Sequence, residues 1–137
     1  MSTAALMPTY GPRTLELVRA TSKRAATLEV EMAALVSHYG QLMNTSIKAH
    51  ASGRPGPNAP TGDYRRSWAH QVTSEGGTVK STNGTNKPQA RRLEFGFTGT
   101  DSLGRTYDQP PYPHAGPAFD EIGPQFVEAA RKLQRSI

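Results

Sequence analysis

One long amphipathic stretch limits what this chain can fold into more than any other feature. Between residues 14 and 49 the apolar positions Val18, Ala25, Leu28, Met32, Leu35, Tyr39 and Leu42 recur at steps of seven, three and four. That repeat places them on one narrow seam of an α-helix. Unbroken, such a helix is about 54 Å long at about 1.5 Å per residue, more than a domain of this size covers with its own core. Part of the seam is therefore expected to meet another chain. Pro12 and Thr14 supply a start, and Gly53 and Pro55 in "ASGRPG" supply the stop. The helix is expected over 14–51, preceded by an N-terminal arm over 1–13. Gly40 is its weak point, about 1 kcal/mol worse than alanine inside a helix.

Composition points the same way. The 137 residues suffice for a single domain, but only 35% are hydrophobic, Gly and Pro together make 24, and mean hydropathy is −0.60. A core this thin is one that partner subunits complete. The absence of cysteine excludes a disulfide framework, a thiolate zinc site and a cysteine nucleophile. The opening "MSTAALMPTYGPR" lacks a charged n-region followed by an apolar h-region, and no apolar run is long enough to span a bilayer. Neither a signal peptide nor a membrane partner is expected. The net charge of +5 and pI near 9.8 permit attraction to phosphate. The basic residues are nevertheless spread as doublets (Lys23-Arg24, Arg65-Arg66, Arg91-Arg92, Arg131-Lys132) rather than gathered in one run.

Beyond the helix, "GRPGPNAPTG" holds three prolines and three glycines, so 52–62 is expected to be an extended connection. Trp68, His70 and Val72 alternate with Ser67, Ala69 and Gln71, and "SEGG" offers a turn into "TVKST". A β-hairpin is expected at about 66–82. Pro88 opens a short helix near 88–95 that Gly96 ends, with a third strand, favoured by Phe95 and Phe97, as the alternative there; this gives a hairpin-and-helix segment over 63–96. The stretch "LEFGFTGTDSLGRTYDQPPYPH" then resembles neither helix nor strand, and 97–114 is expected to be a protruding loop. Phe119, Ile122, Phe126, Ala130, Leu133 and Ile137 keep helical phase through Pro124, predicting a kinked C-terminal helix within 115–137. The expected fold class is α+β, with a long helix, a small antiparallel sheet and a closing helix.

Glu94, Asp101, Asp108 and His114 are the candidate metal ligands of a hydrolase. They are spaced seven, seven and six residues apart in a Gly- and Pro-rich segment, without the HxxxH, HxH or DxD spacing that holds ligands on one face. No G-x-S-x-G elbow or phosphate loop is present. No enzyme, metal or cofactor is expected, and His114 is expected in a turn or an interface. A small basic nucleic-acid-binding domain using Arg65, Arg66, Trp68, Arg91 and Arg92 is the alternative, with Trp68 as a stacking surface; a lone inward-facing tryptophan also serves as core.

Three segments carry a family resemblance. "APTGDYRRSWAHQV" is similar to the Pro-x-x-Thr-Gly-x-Leu-Arg-x-Ser-Ile pattern of phage tail-completion or neck proteins, with Thr61 and Gly62 matching, Tyr64 in place of leucine and Trp68 in place of isoleucine. "TNKPQARRLEFGF" resembles the next element through Ala90, Leu93, Glu94 and Gly96. "QPPYPHAGPAFDEIGPQF" resembles the closing element through Pro113, Pro117 and Ala118, with His114 in place of phenylalanine. The three occur in order from Ala59 onward, and the insert "TGTDSLGRTYDQ" is longer than that family needs.

The resemblance implies a virion protein without enzymatic activity, assembled in the host cytoplasm. It would form a ring of six or twelve copies between the capsid connector and the tail. Its partners would be a head-closure, stopper or adaptor protein on one side and a tail terminator or tail tube protein on the other, with genomic DNA nearby. The expected contact residues are Thr61, Gly62, Tyr64, Arg65, Arg66, Glu94, Phe97, Arg105, Tyr107, Pro110, Pro111, Tyr112 and His114. Residues 98–109 are expected to form an ordered arm pressed on a neighbour.

Overall fold

The computed structural model describes residues 12–137, so residues 1–11 of the expected arm lie outside the described residues. The architecture is α+β. In chain order it comprises α1 (Pro12–His50), α2 (Asp63–Arg66), β1 (Ala69–Glu75), β2 (Thr78–Gly84), α3 (Ala90–Phe95), β3 (Phe97–Thr100), β4 (Thr106–Gln109) and α4 (Ala115–Arg135). The chain divides after Met32 into two units. None of the described helices is long and apolar enough to cross a membrane.

The first unit holds the early turns of α1. Thr21 and Thr27 donate their hydroxyls to the carbonyls of Leu17 and Lys23, and Arg24 pairs with Glu31 at 3.1 Å. Such an ion pair contributes at most about 1 kcal/mol, whereas a helix in a protein is stabilised chiefly by packing of its apolar face. Leu15, Leu17, Val18 and Val30 are exposed, so this part of the seam lacks that packing.

In the second unit, α4 runs antiparallel to the later turns of α1. Ser46 and His50 both reach the Glu121 carboxylate, at 2.9 and 3.2 Å, and the Tyr39 and Phe126 rings meet edge-on with centroids 5.8 Å apart. The two hydrogen bonds hold the Glu121 carboxyl below the usual carboxylate range. α4 continues through Pro124, which forfeits the hydrogen bond to Asp120 without ending the helix. The buried apolar residues are few: Ile47, Ala51, Tyr64, Ala118 and Ile122.

The sheet differs from the expected one in number and boundary. β1 and β2 form one antiparallel hairpin, from Ala69 opposite Gly84 to Glu75 opposite Thr78. The hairpin thus starts later than expected, because Arg66 belongs to the short turn of α2. Gly76 and Gly77 close it with φ of 57° and 79°, the two left-handed positions of a type I′ turn. β3 and β4 form a second, separate hairpin, from Phe97 opposite Gln109 to Thr100 opposite Thr106. Residues 97–109 are therefore not an irregular loop. Phe97, Gly99, Tyr107 and Gln109 turn inward while Thr98, Thr100, Thr106 and Asp108 face solvent, an alternation too short and too rich in glycine to stand out in the sequence.

The segment 52–62 also departs from expectation. It folds into turns rather than extending: Gly53 N–H donates to the Pro57 carbonyl at 2.9 Å, Arg54 donates to the Gly56 carbonyl, and Pro57 is fully buried. Proline removes donors but leaves carbonyls, and those carbonyls are what the turn uses.

Gly40, the expected weak point of α1, proves to be a point of close approach. It is buried, its carbonyl accepts Asn83 Nδ2 at 3.0 Å, and a Cβ on it would lie 2.1 Å from Ser81 Oγ and 2.8 Å from Ser81 Cβ. The β1–β2 hairpin packs on α1 only because no side chain stands there. Gly40→Ala gains about 1 kcal/mol in helix propensity, but overpacking costs typically about 1–3 kcal/mol. The substitution is expected to lower the Tm in thermal unfolding; a raised Tm would contradict the close contact.

Candidate functional site

The three segments that carry the family resemblance converge on one buried cluster. α2 sets Tyr64 inward beneath the start of β1, α3 carries Glu94, and the proline-rich run after β4 delivers His114 to the first turn of α4. His114 is 0% exposed. Its Nε2 lies 2.6 Å from Tyr64 Oη, while its Nδ1 lies 2.9 Å from the Tyr112 carbonyl and 3.0 Å from Glu94 Oε2. A carbonyl only accepts, so Nδ1 carries the proton; in the neutral ring Nε2 then accepts from the Tyr64 hydroxyl. Trp68 completes the packing, its ring edge-on to both Tyr64 and His114 at 6.3 and 5.7 Å. Burial pushes the Tyr64 hydroxyl above its ordinary pKa against the pull of the Trp68 indole, and the Glu94 charge adds a smaller push upward. The phenol thus remains a neutral donor. That indole N–H is buried and makes no hydrogen bond of good geometry.

Glu94 fixes the start of α4. Its Oε2 accepts the backbone N–H groups of His114 and Ala115 at 2.9 and 3.0 Å, and its Oε1 accepts that of Gly116 at 2.8 Å. These are the orphan donors that every helix start presents, and His114, at the N-cap, offers no side-chain cap of its own. The carboxylate also sits at the positive end of the helix dipole. Partial burial pushes the Glu94 carboxyl up, and the three N–H bonds with the nearby His114 outweigh it, holding the group below the usual carboxylate range. Gly96 allows the approach: at φ 78° it ends α3, and a Cβ there would lie 2.7 Å from the Gln109 carbonyl oxygen. Tyr112 N–H donates to the Leu93 carbonyl at 2.6 Å and ties the same two segments.

The residues expected to make contacts separate into two sets. Gly62, Tyr64 and His114 lie inside the fold, and Glu94 is occupied by α4. Tyr64, Glu94 and His114 hold one another and the start of α4, and the Gly62 carbonyl accepts the Arg66 N–H. His114 was expected in a turn or an interface, and its place between prolines gave no sign of complete burial. Near the surface stand Thr61, which accepts the Asp63 N–H, Arg66, paired with Asp63 at 2.6 Å, and Arg65, bonded to Ser52. Pro110 and Pro111 are exposed, and half-buried Tyr112 lies under the Arg54 guanidinium at 3.7 Å.

The second hairpin holds the rest. Asp101 organises its apex: Oδ1 accepts the N–H groups of Leu103 and Arg105, and Oδ2 accepts Arg105 Nε at 2.6 Å and the Tyr107 hydroxyl at 3.2 Å. Desolvation raises the Asp101 carboxyl, but the bonds from Arg105, Leu103 and Tyr107 win and hold it below the usual range. Phe97 packs on Tyr107 with ring centroids 5.9 Å apart, and the Arg92 guanidinium lies 4.0 Å above the Phe97 ring.

The residues of the hydrolase reading do not assemble. Glu94 and His114 meet, but Asp101 is taken by Arg105 and Asp108 faces Thr98. Among the described residues no three His, Cys, Asp or Glu side chains gather as a metal would require. Of the residues of the nucleic-acid alternative, Arg65, Arg66 and Arg92 each have a contact within the chain, Trp68 packs against two rings, and Arg91 is exposed.

A further feature had no sequence signal, because its walls come from distant segments. An apolar groove of about 790 Å³ runs between α1, β2 and α4, walled by Val36, Tyr39, Met43, Val79, Phe119 and Phe126 among others. Phe119 at its side is 66% exposed.

Glu94→Gln is expected to leave at least one amide of the α4 first turn facing an amide group that cannot accept, at a cost of about 1–3 kcal/mol near pH 7. The folded pKa of Glu94 lies below its unfolded value, so its contribution is complete above the ordinary carboxylate range and disappears as pH falls through the folded value. Denaturant unfolding across pH should therefore show wild type and variant far apart near neutrality and converging in acid; equal stability at pH 7 would contradict the capping role.

Comparison of the chain with protein-family models, with curated proteins and with solved structures finds no match.

Proposed function

We propose that this protein is a structural subunit of a phage neck, a ring-forming head-to-tail connector or tail-completion protein. The observation that carries the reading is the ordered run of three segments resembling that family, together with their convergence. Tyr64 comes from the first, Glu94 from the second and His114 from the third, and they meet in one cluster. Glu94 matches the family pattern, whereas Tyr64 and His114 stand where leucine and phenylalanine are usual, so the first and third segments meet here through a hydrogen bond.

The surface supports the same reading. A ring subunit presents two different faces that fit each other, since a head-to-tail contact closes into a ring when its rotation permits. This chain has few buried apolar residues, a helix whose early turns leave Leu15, Leu17, Val18 and Val30 in water, and an apolar groove. The polar clusters, by contrast, are occupied by structural tasks: Glu94 caps a helix and Asp101 ties a hairpin apex. The subunit would join copies of itself laterally, in six or twelve, with a head-closure, stopper or adaptor protein on one side and a tail terminator or tail tube protein on the other.

Native mass spectrometry and negative-stain electron microscopy of the purified protein test this. A closed ring of a single copy number is expected, and a monomer at all concentrations would overturn it. The net charge of +5 and the Arg65-Arg66 and Arg91-Arg92 doublets are features shared with a nucleic-acid-binding domain. Titration against DNA at rising salt is expected to give weak binding with a shallow slope; tight binding with a steep negative slope would favour the nucleic-acid reading instead.

A further inference from the structure

Leu103 stands at the apex of the β3–β4 hairpin and is 75% exposed. An exposed leucine is ordinary by itself, but this one is carried on a stiffened support. Asp101 accepts four hydrogen bonds from Leu103, Arg105 and Tyr107, Gly104 N–H donates back to the Asp101 carbonyl, and Asp101 N–H donates to the Arg105 carbonyl. A loop ordered before it binds loses little entropy on binding. The same chain holds a concave apolar site, the groove walled by Tyr39, Val79, Phe119, Phe126 and Val127. Ser81 also lines it, its buried hydroxyl packed against Gly40 of α1.

We infer that the hairpin apex of one copy seats Leu103 in the groove of a second copy. The inference rests on the ring reading, and it names the two faces of the lateral contact. Charge selects the hairpin over the unpacked apolar positions of residues 12–32. Residues 97–109 contain Asp101 and Asp108 against Arg105 alone, a net negative charge in a chain of +5, whereas residues 12–32 carry one more base than acid. The groove is bordered by Lys80 and Arg131 against Asp120, so it attracts the hairpin and repels the helix segment. Knob and groove are different surfaces, hence the contact is head-to-tail and repeats from copy to copy.

The chain has no cysteine, so introduced thiols report without interference. Leu103→Cys and Val127→Cys are prepared as single variants, both at exposed sites, and mixed with a short bismaleimide. A Leu103→Asp variant is compared with wild type by mass measurement over a dilution series, with circular dichroism to verify folding. The expected results are a cross-linked product that needs both cysteine variants, and a concentration for half-assembly raised at least about tenfold by Leu103→Asp. A multimer in which 103 cross-links only to 103, or in which Val30→Cys rather than Leu103→Cys reacts with Val127→Cys, overturns this contact and leaves the ring reading intact. A Leu103→Asp protein that assembles like wild type does the same. A wild-type protein that stays monomeric at every concentration overturns both.

Discussion

The Glu94 carboxylate is the contact on which the rest of the second unit depends. It answers three backbone donors at the start of α4 with two oxygens, from a helix some twenty residues earlier in the chain. A helix start left bare would cost desolvated N–H groups, and His114 cannot provide the cap because its ring is turned inward to Tyr64. Glu94 therefore does two things with one charge: it closes α4 and it faces the His114 ring that packs beneath. Everything that packs on α4, including the Ser46 and His50 bonds to Glu121 and the Tyr39–Phe126 pair, inherits its position from that cap.

Such an arrangement compensates for a small core. With Ile47, Ala51, Pro57, Tyr64, Ala118 and Ile122 as the large part of the apolar burial among the described residues, polar contacts between segments carry more of the specificity. Buried polar networks of this kind are high-stakes, since a fully satisfied one fixes a unique packing and a broken one costs several groups at once. The same shortage of core leaves the groove beside Phe119 unfilled. A chain that fixes its own fold through hydrogen bonds while leaving apolar walls open is suited to completing its core against another copy.

Much of the fold could be read from residue patterns. The seam from Val18 to Leu42 identified α1 because a helical repeat sustained over several turns has few alternatives. The Trp68–His70–Val72 alternation and the Gly76–Gly77 turn identified the first hairpin, and the phase of Phe119 to Leu133 carried α4 through Pro124. The second hairpin was hidden, because four-residue strands with glycine give alternation no length over which to show. His114 and Glu94 were visible as unusual residues, but their tasks were not, since a cap supplied from another helix leaves no local pattern such as a capping box.

The sequence alone determined α1, α3 and α4, the first hairpin and the scarcity of core, because those follow from local periodicity and from composition, which do not depend on where distant segments lie. Only the tertiary structure decided that Gly40 marks a close contact with Ser81 rather than a weak turn, that Tyr64 and His114 face each other inside the fold, and that the walls of α1, β2 and α4 leave a groove. Each of these joins residues more than thirty positions apart, and a single-chain pattern carries no distance between such residues until packing brings them together.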